Sequence, residues 1–161
     1  MGAMTWAARP RLHGAVTPAP PADGGGGGGG AALPVRVVVA ASHHALRAGL
    51  AALLATEADI SMVTVAEDAR AAARSVLQHH PDVLVVALLG ALRDGGATIR
   101  RLRSLAPETA VVLTGTVGGA AYAAAAYAAG AAAVVPLDDP AADLVAVVRA
   151  AAGRGSHDAP P

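Results

Sequence analysis

No cysteine occurs among the 161 residues, so the chain can hold no disulfide, no thiolate nucleophile and no zinc ribbon, and its composition suits a reducing compartment. Lysine and phenylalanine are also missing, and tryptophan and tyrosine are represented only by Trp6, Tyr122 and Tyr127. The core must therefore close with Ala, Val and Leu, which favours close packing of helices and strands. Every Lys/Arg-type cation is an arginine. Twelve of them offset twelve acidic residues, and a formal charge of zero leaves no net electrostatic footprint for nucleic acid or an anionic membrane. Arg9 and Arg11 are followed by no apolar signal segment, and no later run reaches the ~18 uninterrupted apolar residues of a membrane span. A cytoplasmic protein with no membrane partner and no direct nucleic-acid partner is expected.

What is present divides the chain in three. Residues 1–33 are rich in Gly, Pro and Ala and include seven consecutive glycines, Gly24 to Gly30, a stretch that cannot offset its ordering entropy and is expected to be a disordered tail. From Pro34 to Gly153 the texture changes: the β-branched runs VRVVVA, ISMVTV, DVLVVA, AVVLT and AAVV alternate with Ala-rich stretches of helical periodicity. Leu46, Leu50, Leu53 and Leu54 keep that spacing, as do Leu144, Val147 and Val148. Strands apolar throughout and separated by helices imply parallel pairing with both faces covered. The expectation is α/β, a three-layer α/β/α sandwich around a doubly wound parallel five-stranded sheet, flavodoxin-like (βα)5. Residues 154–161 read as a second disordered tail.

In such a sheet, chemistry belongs beyond the carboxyl ends of the strands. There the sequence delivers Ala41, Ser42, His43 and His44 after the first strand, Ala87 after the third, Thr114 and Gly115 after the fourth, and Pro136, Leu137, Asp138 and Asp139 after the fifth. No nucleophile and base converge, so no enzyme is expected. The segments VRVVVAASHHALRAGLAALLA, HHPDVLVVALL, RRLRSLAPETAVVLTG and AAGAAAVVPLDDPAADLVAVVRA resemble the receiver domain of bacterial response regulators, specifically the NarL/FixJ type, through RAGL in the first helix, LAPET before the fourth strand and Ala-Gly-Ala before the fifth. The resemblance implies a CheY-like module of two-component signalling. A working member takes phosphate onto an Asp ending strand three, with Mg²⁺ held by an acidic pair after strand one, and a hydroxyl and a lysine contacting the phosphoryl group. Carried onto this sequence, the acidic pair falls on Ala41 and Ser42, the phospho-acceptor on Ala87, the hydroxyl on Thr114, the lysine on Leu137 and the aromatic switch position on Val134.

Of these roles only that of Thr114 keeps its chemistry. Ala87 offers no carboxylate, Ser42 cannot supply the hard oxygen ligands Mg²⁺ demands, and a chain without lysine cannot recover that cation by any shift of register. The sequence therefore predicts a degenerate receiver that binds no metal or cofactor, is not phosphorylated, and acts as a protein-interaction module. Its partner would be a second copy or a full-length response regulator or histidine kinase. Because the chain stops soon after Gly153, it is expected to stand alone without a DNA-binding output domain. The alternative is a sensor holding a small neutral metabolite in the emptied pocket around Ala41, Ala87, Thr114 and Leu137.

Other polar groups read as structural. His43 and His44 belong to a helix start, and His79 and His80 cap carbonyls at a helix end. Asp138 and Asp139 serve as an N-cap. Asp94 lies on a loop, and Arg100, Arg101 and Arg103 form a solvated helix face. The helix holding GGAAYAAAAYAAG carries no charge on any side, so the face it turns from the core is expected to show Ala and Tyr122 and to form a dimer face with Asp139, Asp143 and Arg149 as its polar rim, while the resemblance implies that Tyr127 takes the place of a core leucine.

Overall fold

The computed structural model describes residues 33–89, 95–116 and 119–155, so residues 1–32 of the expected tail 1–33, residues 156–161 of the expected tail 154–161, Trp6 and Asp94 lie outside the described residues, while residues 154–155 continue the last helix rather than begin a tail. Strands β1 (Val35–Ala41), β2 (Ile60–Ala66), β3 (Val83–Leu88), β4 (Ala110–Gly115) and β5 (Ala133–Pro136) alternate with helices α1 (His44–Ala55), α2 (Ala69–His79), α3 (Gly95–Leu105), α4 (Ala120–Ala128) and α5 (Ala141–Gly155). All pairings are parallel and the sheet order is β2-β1-β3-β4-β5. This is the flavodoxin-like architecture expected from the sequence, with strand order reversing between β1 and β3.

Alternation along each strand sorts the core into two layers. Val37, Val39, Val83, Val85 and Val112 face α1 and α5, where Leu50, Leu54, Leu144 and Val148 meet them. Val38, Leu84, Val111 and Leu113 face the opposite side, against Val76, Ile99, Leu102 and Ala126 of α2, α3 and α4. The helical spacing of the leucines in α1 thus marks its buried stripe. Each fully buried Val or Leu contributes about 1.5–3 kcal/mol, and small side chains on both faces let the helices sit close to the sheet.

The turns beneath the sheet account for several charges. Asp82 accepts a hydrogen bond from the Arg36 N–H at 2.7 Å, and Thr109 Oγ1 donates to the Pro81 carbonyl at 2.8 Å inside the protein. Arg103 does not join the solvated face expected of it: Nη1 donates to the carbonyls of Pro107 and Thr109, closing the LAPET turn from above. At the end of α2 the capping is done by backbone rather than by the histidine rings. His80 adopts φ 45°, ψ 60° and donates its N–H to Val76 O, after which Pro81 stops the helix. Asp138 and Asp139 do not cap α5, which begins at Ala141; the carbonyl of Pro140 accepts from Asp143 N–H there. No described helix is long and apolar enough to cross a membrane.

Candidate functional site

Ladder register fixes the geometry at the carboxyl end of the sheet. Ala41 pairs with Ala87, Ala87 with Thr114 and Thr114 with Val135, so the ends of β1, β3 and β4 stand abreast. At a strand spacing of about 4.8 Å, Ala41 and Thr114 lie about 10 Å apart with Ala87 between them. All three share the α1/α5 side of the sheet, and they are 4, 5 and 1% exposed respectively. Leu137, just past β5, is anchored by its N–H on the Gly115 carbonyl at 2.9 Å and packs half-buried on the same side. Val134 faces the other way, half-buried toward α4. Ser42 is exposed. The structure thus brings Ala41, Ala87 and Thr114 into one row, with Ser42 and Leu137 at its margins.

A cavity of about 180 Å³ opens beside this row. Ala41, Ser42 and Ala87 line it, but Thr114 and Leu137 do not; it extends instead toward α2 and α3, past Glu67, Asp68 and Leu102. Its walls are mainly apolar. Asp68 is committed to capping α2, accepting from Ala71 N–H at 2.6 Å. Glu67 makes no hydrogen bond or ion pair among the described residues, where no cluster of three His, Asp or Glu is gathered for a metal.

One cation at the site escapes a reading based on strand ends. Arg47 of α1 turns back over the end of β1 and donates Nη1 to the Ala41 carbonyl at 2.6 Å. Its place three residues into the helix that follows β1 is the signal: one turn of helix returns its side chain to the strand end. His43 sits beside it as the N-cap of α1, with Nδ1 accepting from Leu46 N–H over a long 3.4 Å. The ring therefore performs local capping.

The aromatic residues of α4 exchange their expected places. Tyr122 is half-buried with its hydroxyl enclosed and, among the described residues, without a hydrogen-bond partner, whereas Tyr127 is 51% exposed. The reason is register: Ala126 and Ala129 face the sheet, which turns Tyr127 outward and lays Tyr122 over the end of β4 near Gly115. Burial pushes the Tyr122 hydroxyl above its ordinary pKa. An enclosed hydroxyl without a partner costs about 1–3 kcal/mol. Tyr122→Phe is therefore expected to raise stability by up to about 1 kcal/mol in urea denaturation, and a loss of similar size would reveal an unrecognised partner.

Arg149 is exposed and is also bound within the chain. Nε and Nη2 donate to both carboxylate oxygens of Asp59 at 2.7 Å, and Nη2 also meets Glu57 at 2.6 Å. These bonds pin α5 to the turn before β2. The hydrogen bonds from Arg149 hold the Asp59 carboxyl below its usual range, and the two carboxylates raise Arg149 in turn. Asp139 is half-buried and Asp143 exposed in the segment following β5.

The response regulator receiver domain model matches residues 37–149. The chain belongs to this family, and it is a receiver domain of two-component signalling. Among solved structures it is similar to the signal receiver domain of NarL from Mycobacterium tuberculosis, at 28% identity over 76% of this chain and 98% of that one, with a TM-score of 0.68. A LuxR-family two-component response regulator from Aurantimonas matches at 25% identity over 75% of this chain and 86% of that one, with a TM-score of 0.69. The response regulator domain of Thermotoga maritima CheB shares the fold at 21% identity, covering 74% of this chain and 97% of that one with a TM-score of 0.67. A search of curated proteins gave no match.

Proposed function

We propose that this receiver does not take phosphate and acts by docking, as a pseudo-receiver, on another protein. The observation that carries the reading is the row at the mouth: methyl groups at Ala41 and Ala87 occupy the positions assigned to acid and nucleophile, and the whole sequence holds no lysine. A receiver with neither nucleophile nor phosphoryl-binding cation has only its surfaces with which to signal. Those surfaces are suited to kinases, other regulators or a second copy, the kinds of partner with which receivers interact. Along α4 and the β5–α5 segment, the uncharged alanine surface and the exposed Tyr127 form the docking face, with Asp139 and Asp143 beside it. Val134 has a single favoured rotamer and little reach, which fits a domain with no aromatic switch to throw.

The test is intact-mass analysis after incubation with Mg²⁺ and acetyl phosphate. The expected result is an unchanged mass. A phosphoryl adduct at any residue would overturn the reading.

A further inference from the structure

Net neutrality conceals a separation of charge. Helices α2 and α3 lie side by side on one face of the sheet and contain no acidic residue, yet they carry Arg70, Arg74, Arg100, Arg101 and Arg103. Arg103 is committed to the turn below it. The other four are exposed, and their guanidinium groups make no hydrogen bond or ion pair among the described residues. Arg149, by contrast, holds two carboxylates. Arg70 and Arg74, one helical turn apart, repel each other at a cost of a few tenths of a kcal/mol.

The space between the helices is a groove of about 540 Å³ lined by Arg70 and Arg101, by the small side chains of Ala73, Ala97 and Thr98, and by buried Leu102. Leu77 continues the Arg70–Arg74 stripe of α2, and Leu105 continues the Ala97–Arg101 stripe of α3; they are 47% and 39% exposed. Each helix thus shows arginine and then leucine outward along its length. At its upper end the groove approaches Glu67 and Asp68, so anionic groups of an occupant belong lower down, among the arginines.

We propose that this face docks an acidic amphipathic segment of a protein partner, its carboxylates paired with Arg70, Arg74 and Arg101 and its aliphatic side chains seated over Ala73, Ala97 and Leu102. Charge complementarity calls for an anion, and guanidinium forks match carboxylates in two-point contacts. The mainly aliphatic lining between the arginines and the exposed leucines select against a nucleic-acid backbone, which brings no aliphatic surface, and no Phe, Tyr or Trp stands on these helices to stack a base. A second copy is a poorer fit, because a basic face meeting an acidic patch elsewhere on the molecule is a head-to-tail contact that need not close. The groove adjoins the mouth cavity, with which it shares Ala69, Thr98 and Leu102, but its arginines lie outside the row of strand ends and the inference stands or falls independently of phosphorylation.

Fluorescence anisotropy with the full chain provides the test. The probe is a labelled synthetic peptide of about three helical turns with Glu and Leu on opposite faces. Its counterpart with Gln in place of Glu, a duplex oligonucleotide and a single-stranded oligonucleotide serve as competitors. Saturable binding of the Glu peptide is expected, weakened about tenfold, or about 1.4 kcal/mol, both by the Gln exchange and by Arg70→Glu/Arg101→Glu. Circular dichroism checks the fold of the double variant, with Arg101→Gln as the milder substitute should it unfold. Absent binding, or binding indifferent to both changes, would overturn the proposal. Tighter binding of either oligonucleotide would reassign the face to nucleic acid, and concentration-dependent sedimentation abolished by the double variant would reassign it to a second copy.

Discussion

Ala87→Asp alone should remain unphosphorylated by acetyl phosphate and Mg²⁺, while the combined variant Ala41→Asp, Ser42→Asp, Ala87→Asp, Leu137→Lys should gain the mass of one phosphoryl group. The register places the new carboxylate directly between Ala41 and Thr114, so position is not what the single variant lacks. It lacks charge compensation. Magnesium needs near-octahedral oxygen ligation, and the phosphoryl group in flight needs cations on its equatorial oxygens. Among the described residues Arg47 is the cation beside the row, and it is spent on the Ala41 carbonyl. Removal of one preorganised electrostatic contact typically slows such chemistry by about 10²–10³. Metal site and lysine together therefore separate the single from the combined variant by on the order of 10⁴ or more. Robust modification of the single variant would mean that Arg47 can leave its carbonyl and serve the phosphoryl group.

The same single variant carries a pH signature. Ala87 is 5% exposed, and burial raises the pKa of a carboxyl group. Its folded pKa would then exceed the unfolded value of about 3.9. Between those two values the folded state binds more protons than the unfolded one, so stability relative to the parent falls as pH rises through the window and the penalty vanishes in acid. Swinging of Arg47 onto the new carboxylate would reverse that slope.

The fold was legible because its signals are redundant. Each strand is a short run rich in β-branched residues and four of the five helices carry polar residues opposite an apolar stripe, so an error of a residue or two at any boundary leaves the topology unchanged. The row of Ala41, Ala87 and Thr114 followed from the same regularity, since residues that end parallel neighbouring strands come abreast. What the sequence left undetermined depends on side-chain direction. In an Ala-rich helix with no charged face, periodicity cannot say which tyrosine turns inward, and Tyr122 and Tyr127 were assigned the wrong way round. Arg103 and Arg149 carry no sign in the sequence of the groups they hold, the Pro107 and Thr109 carbonyls just past α3 and the Asp59 carboxylate 90 residues away. The groove between α2 and α3 was likewise hidden, because Arg70 and Arg101 are far apart in sequence and adjacent only once both helices lie on the sheet.

Gly115→Ala should be the most damaging of the conservative substitutions at the mouth, at about 2–4 kcal/mol. Gly115 closes the β3–β4 ladder opposite Leu88, and a methyl group built on it would collide with the Leu88 carbonyl oxygen and stand 3.6 Å from the Tyr122 hydroxyl. The carbonyl belongs to backbone and cannot rotate away as a side-chain tip could, so the end of β3 must move, and Ala87 with it. Gly49 in α1 and Gly153 in α5 provide the control, for a methyl group there meets nothing within 4 Å. In those helices Gly→Ala removes backbone entropy from the unfolded chain and should raise stability by about 0.4–1 kcal/mol each. One chemical change is thus expected to act with opposite sign at a buried strand end, where backbone faces the absent side chain, and on exposed helix faces, where nothing does. Thermal denaturation reads the contrast directly, with Gly115→Ala lowering Tm by about 10 °C and the helix variants raising it by a few. A Gly115→Ala protein as stable as the parent would show that the end of β3 yields freely, and that the mouth of this receiver is softer than its close approach at Leu88 implies.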